Sequence, residues 1–137
     1  MTSYQKYKDY QKEYSQREDV KAKKRKYYTS EDQKQKRRIR DLNRYKTNPL
    51  YKLRECIKAN LYCQLKRGNY TKSSNTFKLL GCSYDELKLY LESQFKEGMT
   101  WDNHGDWHID HIVPLASAKT EEEFKKLWYY TNLQPRS

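Results

Sequence analysis

A chain of 137 residues with 35% hydrophobic and 34% charged residues has room for one small core and an appendage. Much of its apolar content is tyrosine, 14 in all, whose polar end prefers a wet edge. No stretch approaches the length of a membrane span and no apolar run follows the amino terminus as in a signal peptide, which predicts an intracellular protein, cytoplasmic or nucleoid-associated. Cys56, Cys63 and Cys82 are odd in number and form no C-x-x-C pair, which argues against a disulfide framework or a four-cysteine zinc knuckle. All three are expected to be buried small side chains.

The net charge of +11 is unevenly spread. Residues 1–80 carry 23 Lys and Arg against 8 Asp and Glu, whereas residues 81–137 carry 6 against 10. A half at +15 joined to a half at −4 suggests a polyanion grip attached to something else. Nucleic acid is the first candidate. An acidic membrane surface is a weak alternative, because the basic half lacks the Leu/Phe/Trp face that an interfacial helix buries in lipid.

Residues 1–47 form the first segment. Tyr4, Tyr7, Tyr10 and Tyr14 recur at spacings of three, three and four, one side of a helix, among good helix formers with no Gly or Pro before Pro49. Val20, Ala22, Ile39 and Leu42 are nearly its only aliphatic residues, so there is no face worth burying. The segment is expected to be a long solvated helix, or an arm that a partner orders. It reads either as a charged extension or as a DNA arm. In the latter case Lys23, Lys24, Arg25, Lys26, Arg37, Arg38, Arg40 and Arg44 neutralise phosphates, with tyrosines available for stacking.

Residues 48–97 read as a helical scaffold. Asn48 can cap, Pro49 fits the first helical position and Gly68 suits the exit of a helix that buries Leu50, Leu53, Ile57, Leu61 and Leu65. "NYTKSSN" is expected to be a loop and "TFKLLG" a helical turn. Ser83 and Glu86 make a capping box for a helix that closes at Gly98, with Leu87, Tyr90, Leu91 and Phe95 inward. In residues 98–137, "WHIDHIV" has the composition of a short strand. Thr120 and Glu123 form another capping box before inward Phe124, Leu127 and Trp128, and "TNLQP" is a brief extended segment. The fold class is α+β, mostly α.

The stretch "HIDH" carries the candidate chemistry. On a strand His108 and Asp110 share a face, and Ile109 and His111 point the other way. Asp110 is a hard oxygen ligand suited to Mg²⁺ or Mn²⁺, and His108 is near enough to share the ion. His111 titrates near neutrality and could take a proton from water, provided the strand bends or ends there. The residues alone also allow edge-strand histidines and an aspartate that solvates a turn, since H-x-D-H is a short pattern.

The run from Trp107 to Leu115, "WHIDHIVPL", followed by "YTNLQP", resembles the HNH endonucleases, the ββα-metal or His-Me finger nucleases, and most closely those encoded by phages and large viruses. The likeness extends upstream through "LGCSYDELKLYLESQFKEGMTWDN" to the Tyr-Gln-Lys-rich arm. It implies that Asp110 binds the divalent metal, that His111 is the general base, and that Asn132 props the loop and orients that base. The implied reaction is phosphodiester hydrolysis in double-stranded DNA with one metal, the homing endonucleases included. Trp101 and Trp107 are expected to pack the finger.

In the family a further helix supplies the last metal ligand, and only "LQPRS" follows Asn132. The resemblance therefore implies an incomplete finger. It is weakened or inactive, or His108 or His104 substitutes as ligand, or a dimer or second polypeptide completes it. The rival expectation is an HNH-derived protein that binds nucleic acid without cutting it. An RNA-associated basic protein is a third.

Overall fold

The computed structural model of the protein describes residues 1–71 and 75–137. Part of the expected "NYTKSSN" loop, residues 72–74, lies outside the described residues. The chain divides into two compact units, Met1–Asn43 and Arg44–Ser137. The described residues are mostly helical, with one small two-stranded antiparallel sheet among them. Among the described residues no helix is long and apolar enough to cross a membrane.

The basic segment is not one continuous helix. It forms α1 (Ser3–Gln16), α2 (Glu18–Thr29) and α3 (Glu31–Thr47), interrupted by extended backbone at Arg17 and Ser30. Neither break uses Gly or Pro. Arg17 grips Asp19 through two hydrogen bonds of 3.1 Å, which holds the Asp19 carboxyl below its usual range. The Ser30 hydroxyl donates to the Tyr27 carbonyl at 2.8 Å, offering the backbone a partner outside the helix. Tyr4, Tyr7, Tyr10 and Tyr14 are exposed, while Val20 is buried, so the segment is not wholly without a buried residue.

The Arg44–Ser137 unit is built on α4 (Pro49–Gly68), with Asn48 capping at 3.0 Å and Pro49 in its first turn. Leu53, Ile57, Leu61 and Leu65 face the core, and Leu50 is only half-buried. The exit differs from expectation. Asn69, not Gly68, takes the left-handed conformation at φ 55°, and Gly68 is needed because a Cβ there would meet the Tyr70 ring at 2.6 Å. The cysteine expectation holds only for Cys82. Cys63 is exposed on α4, and half-buried Cys56 lies 3.3 Å from the Tyr45 hydroxyl, a contact that with burial pushes that hydroxyl up to about 12.

Short α5 (Thr76–Leu80) ends at Gly81, where φ is 73° and a Cβ would strike the Tyr129 ring at 2.0 Å. Ser83 and Glu86 form the complete capping box of α6 (Tyr84–Glu92), which buries Leu87 and Leu91 against α4. This helix stops at Glu92 and does not reach Gly98. Ser93 and Gln94 side chains both donate to the Tyr90 carbonyl, at 2.7 and 3.2 Å, and compete with the helical ladder there. Phe95 then packs between Trp101 and Trp107, with ring centroids 5.4 and 4.9 Å away.

That aromatic cluster anchors the C-terminal part. Trp107 is almost fully buried, and its indole N–H donates to the Thr100 carbonyl at 2.8 Å and to Asn103 at 3.2 Å. The Trp101 indole donates to Glu92 at 2.7 Å. Both tryptophans are packing residues, as expected. Strand β1 (His108–His111) pairs antiparallel with β2 (Leu133–Arg136), and α7 (Glu121–Leu127) lies between them in sequence. The α7 capping box is half-formed. Thr120 accepts from the Glu123 amide at 3.2 Å, but the Glu123 carboxylate turns to the Lys119 amide at 2.7 Å. Phe124 and Trp128 are buried in the common core and Leu127 is half-buried.

Candidate functional site

The register of the hairpin decides which way each residue of "HIDH" points. His108 faces Arg136 and Asp110 faces Gln134, while Ile109 faces Pro135 and His111 faces Leu133. Directly opposed residues of an antiparallel pair share a face. Leu133 is fully buried and Pro135 buried, so the face holding Ile109 and His111 is the inner one. The face holding His108 and Asp110 is the outer one. Asp110 and His111 are therefore neighbours in sequence on opposite sides of the sheet.

The strand ends at His111. The Ile112 amide still donates to the Asn132 carbonyl at 2.8 Å, after which the chain turns through Pro114 into a short 3₁₀ turn, Leu115–Ser117. Asn132 clamps this turn. Its side-chain oxygen accepts from the Val113 amide at 2.9 Å, and its side-chain nitrogen donates to the Val113 carbonyl at 3.1 Å and the Leu127 carbonyl at 2.8 Å. One amide thus ties the exit of β1 to the end of α7. It holds the loop that follows His111, and among the described residues no hydrogen bond joins it to the imidazole ring.

His111 is 9% exposed. Its ring meets the edge of the Trp128 ring, centroids 4.6 Å apart, and its Nε2 is buried without a hydrogen-bond partner among the described residues. Burial lowers the imidazole below the ordinary histidine range, and the Asp110 charge opposes that only in part. The ring is held neutral, the state in which a histidine can accept a proton. Asp110 is more open. One carboxylate oxygen accepts from the His111 amide at 2.9 Å, and the other pairs with Arg136 at 3.1 Å.

The exposed His108 lies beside His104, ring centroids 6.3 Å apart. His104 is half-buried against Trp101 and Trp107, and burial, Lys52 and His108 all lower its pKa. Among the described residues no three His, Cys, Asp or Glu side chains lie close enough to form a metal cage. The donor chemistry of Asp110, a solvent-facing carboxylate with His108 on the same strand face, suits a hard divalent ion. Mg²⁺ takes one or two carboxylates and completes its sphere with water and substrate phosphate.

Of the candidate arm residues, Lys23, Lys24, Arg25 and Lys26 stand exposed on α2, and Arg37, Arg38 and Arg40 on α3. Arg25 lies 3.8 Å from Glu18, Arg40 3.2 Å from Asp41, and Arg37 donates to the Tyr28 carbonyl. Arg44 belongs to the Arg44–Ser137 unit, 4.5 Å from the Tyr51 ring centroid. Two features of the site do not emerge from the sequence: Arg136 is the partner of Asp110, and Trp128 covers His111. The register sets Arg136 opposite His108 and on the same face as Asp110, within diagonal reach of its carboxylate. Trp128, by contrast, has the same pattern in sequence as any inward residue of a capped helix.

Two uncharacterized proteins of Acanthamoeba polyphaga mimivirus are similar to this chain. One is 34% identical over 104 residues, 74% of this chain and 45% of the relative. The other is 34% identical over 95 residues, 67% of this chain and 41% of the relative. The chain spans less than half the length of either. No family model matches it, and no solved structure matches it.

Proposed function

We propose that the hairpin of Asp110, His111 and Asn132 is the catalytic element of an HNH-type DNA endonuclease, with the basic segment as its grip on the phosphate backbone. The observation that carries this reading is the Asn132 clamp. A single amide spends both ends on Val113, two residues past an Asp-His pair at a strand end. That is the propping role which the HNH resemblance assigns to this asparagine. A neutral His111 is suited to take a proton from water as it attacks phosphorus. Asp110, with His108 on the same face, would hold Mg²⁺ or Mn²⁺, which when bound stabilises charge on the phosphoryl oxygens. Catalysis then requires two local changes when DNA binds: Asp110 releases Arg136, and the strand end at His111 turns so that the ring leaves Trp128 on the inner face and reaches the side of the sheet that holds Asp110.

An alternative, nucleic-acid binding without cleavage, is favoured by those same two contacts, which leave the imidazole covered and the carboxylate engaged. Nicking of supercoiled plasmid separates the two. An endonuclease nicks in Mg²⁺ or Mn²⁺, stops in EDTA, and loses the reaction in Asp110→Ala. Metal-independent DNA binding with no nicking at any protein concentration leaves the binder.

A further inference from the structure

The Arg44–Ser137 unit holds a hollow of about 330 Å³, none of whose lining residues belongs to β1 or β2. Its principal wall is Arg44, Tyr51, Arg54, Phe77, Tyr84 and Asp85, drawn from the end of α3 and the starts of α4, α5 and α6. Two guanidiniums attend one ring: the Arg44 carbon lies 4.5 Å and the Arg54 carbon 5.3 Å from the Tyr51 centroid. Arg54 leans on Glu55 at 3.4 Å, while Arg44 forms no ion pair among the described residues. Phe77 lines the hollow and is 58% exposed, a large apolar ring left in water beside two cations.

That grouping has a specific chemistry. An exposed ring offers a stacking face that any base can use, and arginines beside it bind phosphate. The volume is at the lower end for small-ligand pockets, enough for one such unit and not for a duplex. The exposed Asp85 adds an acceptor for the amino group of a base such as cytosine. We propose that this hollow receives one unstacked nucleotide of a single-stranded nucleic acid, its base on Phe77 and its phosphate on Arg44 and Arg54. The assignment is independent of whether the hairpin cuts.

The test compares two fluorescein-labelled ten-residue strands, oligo-dC and its abasic deoxyribose-phosphate counterpart, by anisotropy in EDTA. The exposed basic segment sees the same phosphates in both, so the ratio of affinities isolates the base. The full chain is expected to prefer the base-bearing strand by about five- to a hundredfold. Phe77→Ala should lower that ratio by about threefold or more, any remainder coming from the exposed tyrosines of the basic segment, and Phe77→Trp should restore it. Arg44→Gln should weaken both strands equally and lower the salt slope by about 0.7. Running oligo-rC against abasic RNA identifies the source, since the larger base-dependent ratio marks DNA or RNA as the natural strand. Equal affinity of the unmodified protein for base-bearing and abasic strands in both series would overturn the assignment. So would a full preference surviving in a folded Phe77→Ala variant.

Discussion

Asn132→Ala removes the three side-chain hydrogen bonds that join Val113 to the end of α7. A hydrogen bond of this kind contributes about 1 kcal/mol net. Val113 is 47% exposed, so water can recover part of the two bonds on its backbone, whereas the bond to the Leu127 carbonyl is partly buried. The expected loss is about 2 to 3 kcal/mol, which for a domain of this size lowers the melting temperature by about 8 to 20 °C. Asn132→Asp keeps an acceptor for the Val113 amide but turns a carboxylate oxygen toward two carbonyls, so it should be no less damaging. Guanidinium unfolding followed by near-ultraviolet circular dichroism reads the loss through Trp101, Trp107 and Trp128, which all lie in this unit's core. An alanine variant within about 0.5 kcal/mol of the parent, the range of ordinary surface substitutions, would refute the clamp as a structural device.

Four further outcomes follow from the same structure. Trp107→Ala opens the aromatic cluster at a cost of about 3 to 5 kcal/mol and should leave little folded protein, checked by amide dispersion in a proton–nitrogen spectrum. Changing Lys23, Lys24, Arg25 and Lys26 together to Gln should lower the salt slope of duplex binding by up to about 3.6; an unchanged slope would remove α2 from the interface. His104 and His111 both have folded pKa values below the ordinary one, so the unfolded chain takes up protons first as pH falls. Stability should be full above about pH 6.5 and decline below it toward the folded values, seen as a falling urea midpoint that His104→Phe makes shallower. Arg136→Ala releases an exposed partner of Asp110 and should raise Mn²⁺ affinity by calorimetry about two- to fivefold; a decrease would show that Arg136 helps to build the site.

The sequence was most legible where one local rule acts alone. The stripe of Leu53, Ile57, Leu61 and Leu65, the Asn48–Pro49 start and the Ser83–Glu86 box each declare themselves within a few residues, and the structure carries all of them. It was least legible where two groups compete for one partner. The arm breaks at Ser30, where the hydroxyl offers the Tyr27 carbonyl a local partner, and at Arg17, whose side chain pairs with Asp19; no helix-propensity pattern reveals either. Likewise α6 ends early because Ser93 and Gln94 take the Tyr90 carbonyl. At the site, alternation placed Asp110 and His111 on opposite faces correctly. Which face became the core depended on Leu133 and Pro135, more than twenty residues away, and so did the burial of His111. The nucleotide-sized hollow joins four helical segments, and no spacing in the sequence marks it.

The central claim is that Asp110 and His111 serve one scissile phosphate. Nicking of supercoiled plasmid in Mn²⁺ by His111→Ala, with DNA affinity measured on the same preparation, tests it most directly. A shared site predicts that nicking falls by at least about a hundredfold while affinity stays within about a factor of two of the parent. Nicking that persists at the parent's rate in the folded variant would contradict it.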